Sequence, residues 1–399
     1  MNNIELRAGP RAIAHIREHG LRPQDIDIVP GAAGGPKGLG LTRLDEWLFA
    51  DWLPQGFAER QREQKSPTQL IGASIGAWRF AAVCRGHSPD GVREALNELA
   101  TAYCHQNYPR GVSARDVSKA ASDLLNDMFL GREHEVLTNP NYRLHVLAVR
   151  GKGLLRRETP GRAHAGFMLA AFANAAGRQH LRHFLDRTWL FADQQSESAA
   201  RSETPLLAGD SGQKWLETSA PPRVLSMKLF FDALEADPFH TECAALTVNN
   251  FRDALIASGS IPLVLEGVSA IDGASPGTFW DGGLIDYHLH LPYAEASGLV
   301  LYPHFTNKIV PGWLDKMLPW RKAEGAWLDN VVLISPTREY LDRLPLKKLP
   351  DRSDFKRYLN NFDGRLTYWQ FAMGESARLR DELAALIESG DIVNRLRAI

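Results

Sequence analysis

Two short apolar runs near the start of the chain each lead through glycines into a segment with helical spacing. The first run is Asp25–Val29, which passes into Gly31–Gly38 and then into apolar positions that recur along residues 39–48. The second is Gln69–Ile71, followed by a glycine-containing turn and a helical pattern over residues 72–83. Apolar runs that end at glycine predict strands, and recurrence every three to four residues predicts helices. Two successive strand–loop–helix units predict an α/β fold with a largely parallel sheet.

The pattern beyond these units is mostly helical. Residues 88–187 show helical spacing, interrupted by one predicted strand at Tyr142–Val149. The later predicted elements are strands at Lys228–Phe231, Ala244–Val248 and Asp329–Ile334, and helices at Phe251–Ala257 and Phe371–Arg397.

The order of these elements predicts a main domain and an extension. The polar and small residues of segment 193–222 predict a long flexible connection, which could serve as a mobile cover over a site. We expect the main domain over residues 1–310, with a helical insertion at about 88–227. A mainly helical C-terminal extension over residues 311–399 is expected to pack on it.

The composition excludes several classes of protein. The 399 residues are 44% hydrophobic and 23% charged, which is ordinary for a globular chain and excludes wholesale disorder. The 46 Lys and Arg residues against 47 Asp and Glu residues give a net charge of −1. Because there is no basic surplus to neutralise a phosphate backbone, nucleic acid is not an expected partner.

Cysteine usage and hydropathy bear on the compartment. The three cysteines form no C-x-x-C pair, so neither a disulfide framework nor a cysteine zinc site is expected. Residues 1–20 lack the apolar stretch of a signal peptide, and the apolar patch Ala165–Ala176 is too short to cross a bilayer. We expect a cytoplasmic protein that contacts lipid only peripherally.

The turn Gly72-Ala-Ser74-Ile-Gly76 has the pattern of a nucleophile elbow. In such a turn a serine sits between a strand and a helix, and the flanking glycines leave room for the close backbone approach. A predicted strand precedes Ser74 and a predicted helix follows it. We therefore interpret Ser74 as a nucleophile rather than as part of an ordinary turn.

A nucleophilic serine needs donors for the developing oxyanion, and the glycine loop Gly34–Gly38 can supply main-chain N–H groups. The loop lacks the Gly-Lys-Ser/Thr of a phosphate-binding loop and the G-x-G-x-x-G register of a dinucleotide loop. Pro36 has no N–H and cannot donate. A plain tight turn remains an alternative interpretation.

A proton acceptor is the remaining requirement, and Asp281-Gly-Gly283 supplies a carboxylate at the end of an apolar run. A simple Asp-Gly turn is the alternative. Together with Gly34–Gly38, Gly72–Gly76 and Ala257–Pro262, this segment completes a set of four motifs. Their order along residues 24–300 resembles that of the patatin-like phospholipases.

The resemblance implies a three-layer α/β/α patatin-type fold with a central, mostly parallel sheet and helical insertions. It implies hydrolysis of acyl esters in lipids, without a metal or cofactor, by a dyad of Ser74 as nucleophile and Asp281 as general base. The implied oxyanion hole lies around Gly34, Gly35, Lys37 and Gly38. The implied supporting glycines are Gly72, Gly76, Gly282 and Gly283. The chain departs from the family at Ala33, where the family has glycine.

Other interpretations of these residues stay open. A Ser-His-Asp triad could combine Ser74 with Asp281 or Asp286 and with one of three histidines, which are His288, His290 and His304. A metal site at Asp286, His288 and His290 has no evident further ligand, so paired surface or core histidines are favoured. A patatin-like binding module with an inactive site is a third alternative.

Two apolar segments bear on the choice of substrate. A helix-like stripe contains Phe167, Met168, Leu169 and Phe172. The tryptophan-rich segment 305–327 interleaves aromatic residues with Lys308, Lys316, Arg321 and Lys322. Such interleaving is typical of a helix at a membrane surface, although core packing is the commoner explanation. Our hypothesis is that residues 305–327 border the pocket entrance and touch a membrane; the sequence predicts no oligomeric state.

Overall fold

A computed structural model describes residues 2–159, 161–192 and 225–399. The predicted flexible connection at 193–222 lies outside the described residues. The strands are β1 (Ile4–Ala8), β2 (Ile26–Gly31), β3 (Thr68–Ala73), β4 (Tyr142–Gly151), β5 (Leu185–Phe191), β6 (Thr241–Ala245), β7 (Phe279–Asp281), β8 (Leu299–Pro303), β9 (Val331–Pro336) and β10 (Leu396–Ala398). They form one sheet.

The strand order is β10-β1-β9-β8-β2-β3-β4-β5-β6, with β7 paired to β4 outside this path. The five central strands, β9, β8, β2, β3 and β4, run parallel to one another. β8 and β9 are buried along their whole length and are apolar except at Ser335, as expected for parallel strands covered on both faces. This arrangement brings the carboxyl ends of β2 and β3 side by side, where a ligand crevice commonly lies in such sheets.

The sheet is flanked by helices. The α-helices are α1 (Pro10–His19), α2 (Thr42–Trp47), α3 (Phe57–Arg62), α4 (Ile75–Arg85), α5 (Pro89–His105), α6 (Ala114–Phe129), α7 (Glu133–Leu137), α8 (Arg162–Ala176), α9 (Leu225–Leu234), α10 (Phe251–Gly259), α11 (Arg338–Leu341), α12 (Ser353–Arg357), α13 (Phe362–Glu375), α14 (Ala377–Glu388) and α15 (Ile392–Arg395). Among the described residues, no helix combines the length and apolar character needed to cross a bilayer.

Helix α4 connects the sheet to the candidate site. All eleven of its residues are buried, and the helix packs against β2, β3 and β4. A helix that is buried all round needs small residues where it approaches a strand, and α4 carries Gly76 and Ala77 at its start. The result is a mixed α/β molecule with a central, mostly parallel sheet flanked by helices, which confirms this part of the predicted fold.

The structure corrects several predicted elements. The strand predicted at Lys228–Phe231 is wrong, because these residues lie in α9. Residues 371–397 form parts of three helices and of β10 rather than one helix. The central sheet includes β4 and β9, which match the predicted strands at Tyr142–Val149 and Asp329–Ile334, and also β5 and β10, which were not predicted. The segment after residue 310 is therefore part of the sheet as well as a layer on it.

Candidate active site

Ser74 lies at the sharp turn between β3 and α4. Its backbone has φ 57° and ψ −129°, a conformation that residues with a side chain rarely adopt and that concentrates at functional sites. The flanking glycines allow the turn to pack: a Cβ on Gly72 would lie 2.5 Å from Ala77 Cα, and one on Gly76 would lie 1.8 Å from the Gly31 oxygen. The chain therefore forms the strand–serine–helix turn that the Gly-x-Ser-x-Gly pattern predicts.

The carboxylate of Asp281 reaches Ser74 directly. The Ser74 hydroxyl donates to Asp281 Oδ2 over 2.9 Å, and the Gly283 N–H donates to Asp281 Oδ1 over 2.7 Å. Both side chains are buried, with 4% of Ser74 and 5% of Asp281 exposed. The structure thus brings together the two residues that the sequence proposes as nucleophile and base, with no histidine between them.

The register of β4 explains this meeting. In β4, Leu147 lies opposite Ala73 of β3, and the next residue, Ala148, lies opposite Asp281 of β7. Because β5 occupies the other edge of β4 along residues 145–151, β3 and β7 lie on one edge of β4 and meet end to end. Because their partners on β4 are neighbours, the two side chains emerge at the same level of the sheet.

The motif Ala257–Pro262 links both members of the pair. The Ser258 hydroxyl accepts a hydrogen bond from the Ser74 N–H over 2.9 Å and donates one to the Leu147 oxygen over 2.6 Å. The Ser260 oxygen accepts a bond from the Asp281 N–H over 2.9 Å. The sequence marked this segment as a motif but assigned no role to its two serines. In the structure they fix the backbones on which Ser74 and Asp281 stand.

The glycine loop lies beside this pair. Gly35 has φ +55° and begins a 3₁₀ helix over Gly35–Leu41, and Gly35 and Ser74 line the same cavity. A Cβ on Gly38 would lie 3.4 Å from the Ile75 side chain, so this glycine packs on the start of α4. The Ala33 N–H donates to the Tyr287 oxygen over 3.0 Å and anchors the beginning of the loop.

Two more glycines pack at the other wall of the site. A Cβ on Gly282 would lie 2.2 Å from the Leu147 oxygen, and one on Gly283 would lie 2.7 Å from Ala33 Cβ. Because Gly283 has no side chain, it leaves room for the methyl group of Ala33. The loop accommodates the Ala33 side chain through this contact.

The side chain of Lys37 points to an aromatic ring. Its Nζ lies 4.8 Å from the Phe305 ring centroid, within the range of a cation–π contact. A Cβ on the neighbouring Gly34 would lie 2.6 Å from the same ring. Burial lowers the pKa of Lys37 to about 8, because the charged form loses hydration. Lys37 therefore holds the glycine loop against the ring of Phe305.

Burial also changes the chemistry of Asp281. It raises the pKa of this carboxyl above the ordinary value of an aspartate, while the positive charge of Arg352 opposes the shift. A higher pKa makes the ionised carboxylate a stronger proton acceptor. Arg352 lines the cleft beside Asp281 and Gly283, and no sequence motif marked it.

A large apolar cavity opens at Ser74. Its volume is about 540 Å³, and its walls come from α4, α6, α12 and the segment after α10. The apolar side chains in these walls include Trp78, Val117, Ile261, Val264, Leu265 and Phe355. A concave apolar site with a few polar groups at one end is the usual form of a small-molecule pocket.

The histidines of the alternative triad lie elsewhere. Asp286 is held by Arg187 through contacts of 2.6 and 2.8 Å, and His288 packs against His304 with ring centroids 4.3 Å apart. His290 Nε2 hydrogen-bonds to a backbone oxygen and not to a carboxylate. Burial lowers the pKa of His304 to about 3, so that this ring stays neutral. Within the described ranges, no triad forms and no three His, Cys, Asp or Glu side chains cluster as metal ligands.

The two apolar segments divide between interior and surface. Trp313 lines the cleft beside Asp281, and Phe167 packs edge to face on Trp280 with centroids 5.1 Å apart. The exposed large apolar side chains of the two segments are Met168, Leu169, Phe172, Met317 and Trp320. Lys308, Lys316 and Lys322 of segment 305–327 are also exposed.

Comparisons with known proteins give little further guidance. No family model matches the chain, and no curated protein matches it in sequence. A crystal structure of VipD from Legionella pneumophila is similar with a TM-score of 0.32 and 13% identity, over 90% of this chain and 67% of that chain. A functional conclusion therefore depends on the geometry of the site.

Proposed function

We propose that this chain is a lipid acyl hydrolase of the patatin-like type that cleaves carboxylic ester bonds through a Ser74–Asp281 dyad. The observation that carries the proposal is the direct 2.9 Å hydrogen bond between these buried side chains, with the serine on a strained turn at an apolar cavity. The order of the four sequence motifs supports the same family and its three-layer fold.

In the proposed reaction, Asp281 accepts the hydroxyl proton while Ser74 Oγ forms a bond to the ester carbonyl carbon. Main-chain N–H groups of the loop around Gly34, Gly35, Lys37 and Gly38 stabilise the oxyanion. The bond to the alcohol oxygen then breaks, and Asp281 returns the proton to that oxygen. Asp281 next takes a proton from water, whose oxygen forms a bond to the acyl carbon. The bond from that carbon to Ser74 Oγ then breaks, the proton passes from Asp281 to Ser74 Oγ, and the carboxylic acid leaves.

The apolar cavity is proposed to hold the acyl chain, which predicts a preference for longer chains. Each buried methylene contributes up to about 0.8 kcal/mol, or about a fourfold gain in kcat/KM, until the cavity is filled. We expect p-nitrophenyl decanoate to be hydrolysed at least about tenfold more efficiently than the acetate. Measurement of kcat/KM over a graded series of these esters tests this expectation.

A pair of variants separates the cavity from other sources of chain-length preference. Val117→Phe adds bulk inside the cavity and should move the optimum to shorter chains. Leu130→Phe changes a side chain that is exposed just beyond the same helix, and it should leave the profile as in the wild type. Equal efficiency for acetate and decanoate would contradict the proposed acyl cavity, as would an unshifted profile in Val117→Phe.

The pH dependence of hydrolysis should report the ionisation of Asp281. The carboxylate must be ionised to accept the proton, so kcat/KM should fall about tenfold per pH unit on the acid side. Burial disfavours the charged form, which places the midpoint of this fall above 3.8, the ordinary value of an aspartate. The measurement is kcat/KM for a neutral ester against pH, with circular dichroism at each pH to verify folding. A rate constant that holds down to pH 3.8 would argue against Asp281 as the base.

A further inference from the structure

One hydroxyl in the wall of the Ser74 cavity has no role in the proposed reaction. Tyr103 belongs to α5 and lines this cavity together with Gly35 and Ser74. The residue is half-buried, and among the described residues no group forms a hydrogen bond with its hydroxyl. Because a tyrosine hydroxyl away from bulk water usually has a partner, an unpaired one at a cavity wall points to a bound ligand.

The packing around α5 holds the ring of Tyr103 in place. The ring stacks on Trp369 of α13 with centroids 6.4 Å apart, and Trp369 is fully buried. The thiol of the next residue, Cys104, donates to Met373 Sδ of the same helix over 3.4 Å. Burial raises the pKa of the Tyr103 phenol, so its hydroxyl keeps its proton. The cavity wall therefore carries a fixed, neutral hydrogen-bond donor.

This donor lies beside the glycine loop. Tyr103 Oη is 3.4 Å from the point that a Cβ on Gly35 would occupy, so the hydroxyl borders the backbone of this residue. Arg352 Nε lies at the same distance from that point. Arg352 also lines the cleft beside Asp281, and its charge opposes the rise in the pKa of that carboxyl. The guanidinium thus acts on the base, whereas the Tyr103 hydroxyl faces the loop without a partner.

The N–H groups at the start of the loop are unpaired as well. Gly34 and Gly35 are buried, and within the described ranges no acceptor takes a hydrogen bond from either N–H. The first residues of a helix lack such acceptors because no preceding turn supplies a carbonyl oxygen. The next residue, Pro36, has no N–H. The start of the loop thus offers two main-chain donors, and the Tyr103 hydroxyl lies next to the second.

We propose that Tyr103 is a further catalytic residue, whose hydroxyl donates a hydrogen bond to the oxyanion formed at Ser74. This inference rests on the proposed function. As Ser74 Oγ bonds to the ester carbon and Asp281 accepts the serine proton, the electron pair of the carbonyl π bond moves to the oxygen. Tyr103 keeps its own proton and stabilises that negative charge together with the N–H groups of Gly34 and Gly35.

Tyr103→Phe tests this role, because it removes the hydroxyl and keeps the ring that stacks on Trp369. With p-nitrophenyl decanoate we expect kcat to fall about a hundredfold and KM to change less than about twofold, since the hydrogen bond strengthens only in the transition state. Tyr340→Phe is the matched control. It makes the same change at a buried hydroxyl in α11 that has no hydrogen-bond partner in the described part of the chain, and it should keep the wild-type kcat.

A tetrahedral adduct provides a second measurement. The trifluoromethyl ketone with the same nonyl chain as the decanoyl group accepts Ser74 Oγ at its carbonyl carbon, the serine proton passes to Asp281, and the ketone oxygen becomes an oxyanion. Its inhibition constant should rise by about a hundredfold in Tyr103→Phe and stay unchanged in Tyr340→Phe. A purely structural role of Tyr103 would instead raise KM or lower the free energy of unfolding.

The outcomes separate this inference from the proposed function. A kcat in Tyr103→Phe within about threefold of the wild type, or an unchanged inhibition constant, would overturn the role of Tyr103 while ester hydrolysis stands. A loss of activity explained by higher KM and lower stability would also overturn it. If the wild type hydrolyses no ester but binds the ketone, the inhibition constants alone decide. A wild type that neither hydrolyses the ester nor binds the ketone would overturn the proposed function and this inference together.

Discussion

Ser74→Ala is expected to lower kcat/KM for ester hydrolysis by about a thousandfold or more, because it removes the hydroxyl that attacks the carbonyl in the proposed reaction. Asp281→Asn should have an effect of similar size, since an amide cannot accept the proton of Ser74. Both replacements preserve the shape of the site. The Ser74 N–H keeps its partner Ser258, and an amide oxygen at position 281 can still accept from Gly283.

The double variant provides a sharper test of a shared role. If the two side chains act as one unit, Ser74→Ala combined with Asp281→Asn should be no slower than the single variants. Rates are measured with p-nitrophenyl decanoate, and circular dichroism verifies the fold of each protein. Ser389→Ala, at an exposed position near the C-terminus, serves as the control and should retain full activity. Retention of more than about a tenth of the activity in Asp281→Asn would contradict the dyad.

Gly76→Ala is expected to damage both stability and activity. The added Cβ would lie 1.8 Å from the oxygen and 2.3 Å from the carbonyl carbon of Gly31, so α4 and β2 must separate. Because both atoms belong to the backbone and α4 is buried all round, no side chain can swing aside. We expect the free energy of unfolding to fall by about 3 kcal/mol or more. The displaced Ser74 hydroxyl should lower kcat/KM by about a hundredfold.

The matched control for Gly76→Ala is Gly374→Ala in α13. A Cβ there meets no atom within 4 Å, and alanine favours the helix by up to about 1 kcal/mol. Urea unfolding at one temperature measures both variants. The expected results are a clear loss for Gly76→Ala and an unchanged or higher stability for Gly374→Ala. Similar small changes in both would contradict the tight packing at the turn.

Local patterns suffice to predict one part of the site. The run before Gly72 and the helical spacing after Gly76 place Ser74 on a strand-to-helix turn, because strands and helices leave different periodicities in the sequence. Asp281 is harder to identify, since it lies 207 residues from Ser74 and meets it only through the order of β3, β4 and β7. Its position after an apolar run makes it a candidate proton acceptor, and the family resemblance implies its role as general base.

Other features of the site leave no local signal. The contacts of Ser258 with Ser74 and Leu147 depend on where α10 packs across β4. Arg352 comes from the chain beyond residue 310, where the sequence suggested an extension, and it reaches the cleft through tertiary packing alone. No spacing or motif distinguishes such a residue from a surface arginine.

The errors in predicted elements have a similar cause. Lys228–Phe231 is a short apolar run, and such runs occur both in buried strands and in helices. It is part of α9, and the ten residues of this helix exceed the usual length of a strand. β10 has only three residues and is partly or fully exposed, so it is marked as a strand by its pairing with β1 rather than by its composition.

The most direct test of the dyad is covalent labelling with a fluorophosphonate probe, followed by mass spectrometry of the digested protein. This reagent reacts with a serine whose hydroxyl is activated by a neighbouring base. We predict an adduct on Ser74 in the wild type, none in Ser74→Ala, and labelling about a hundredfold slower in Asp281→Asn. An unlabelled wild type, or an adduct on a different serine, would contradict the assignment of Ser74 and Asp281 as the catalytic pair.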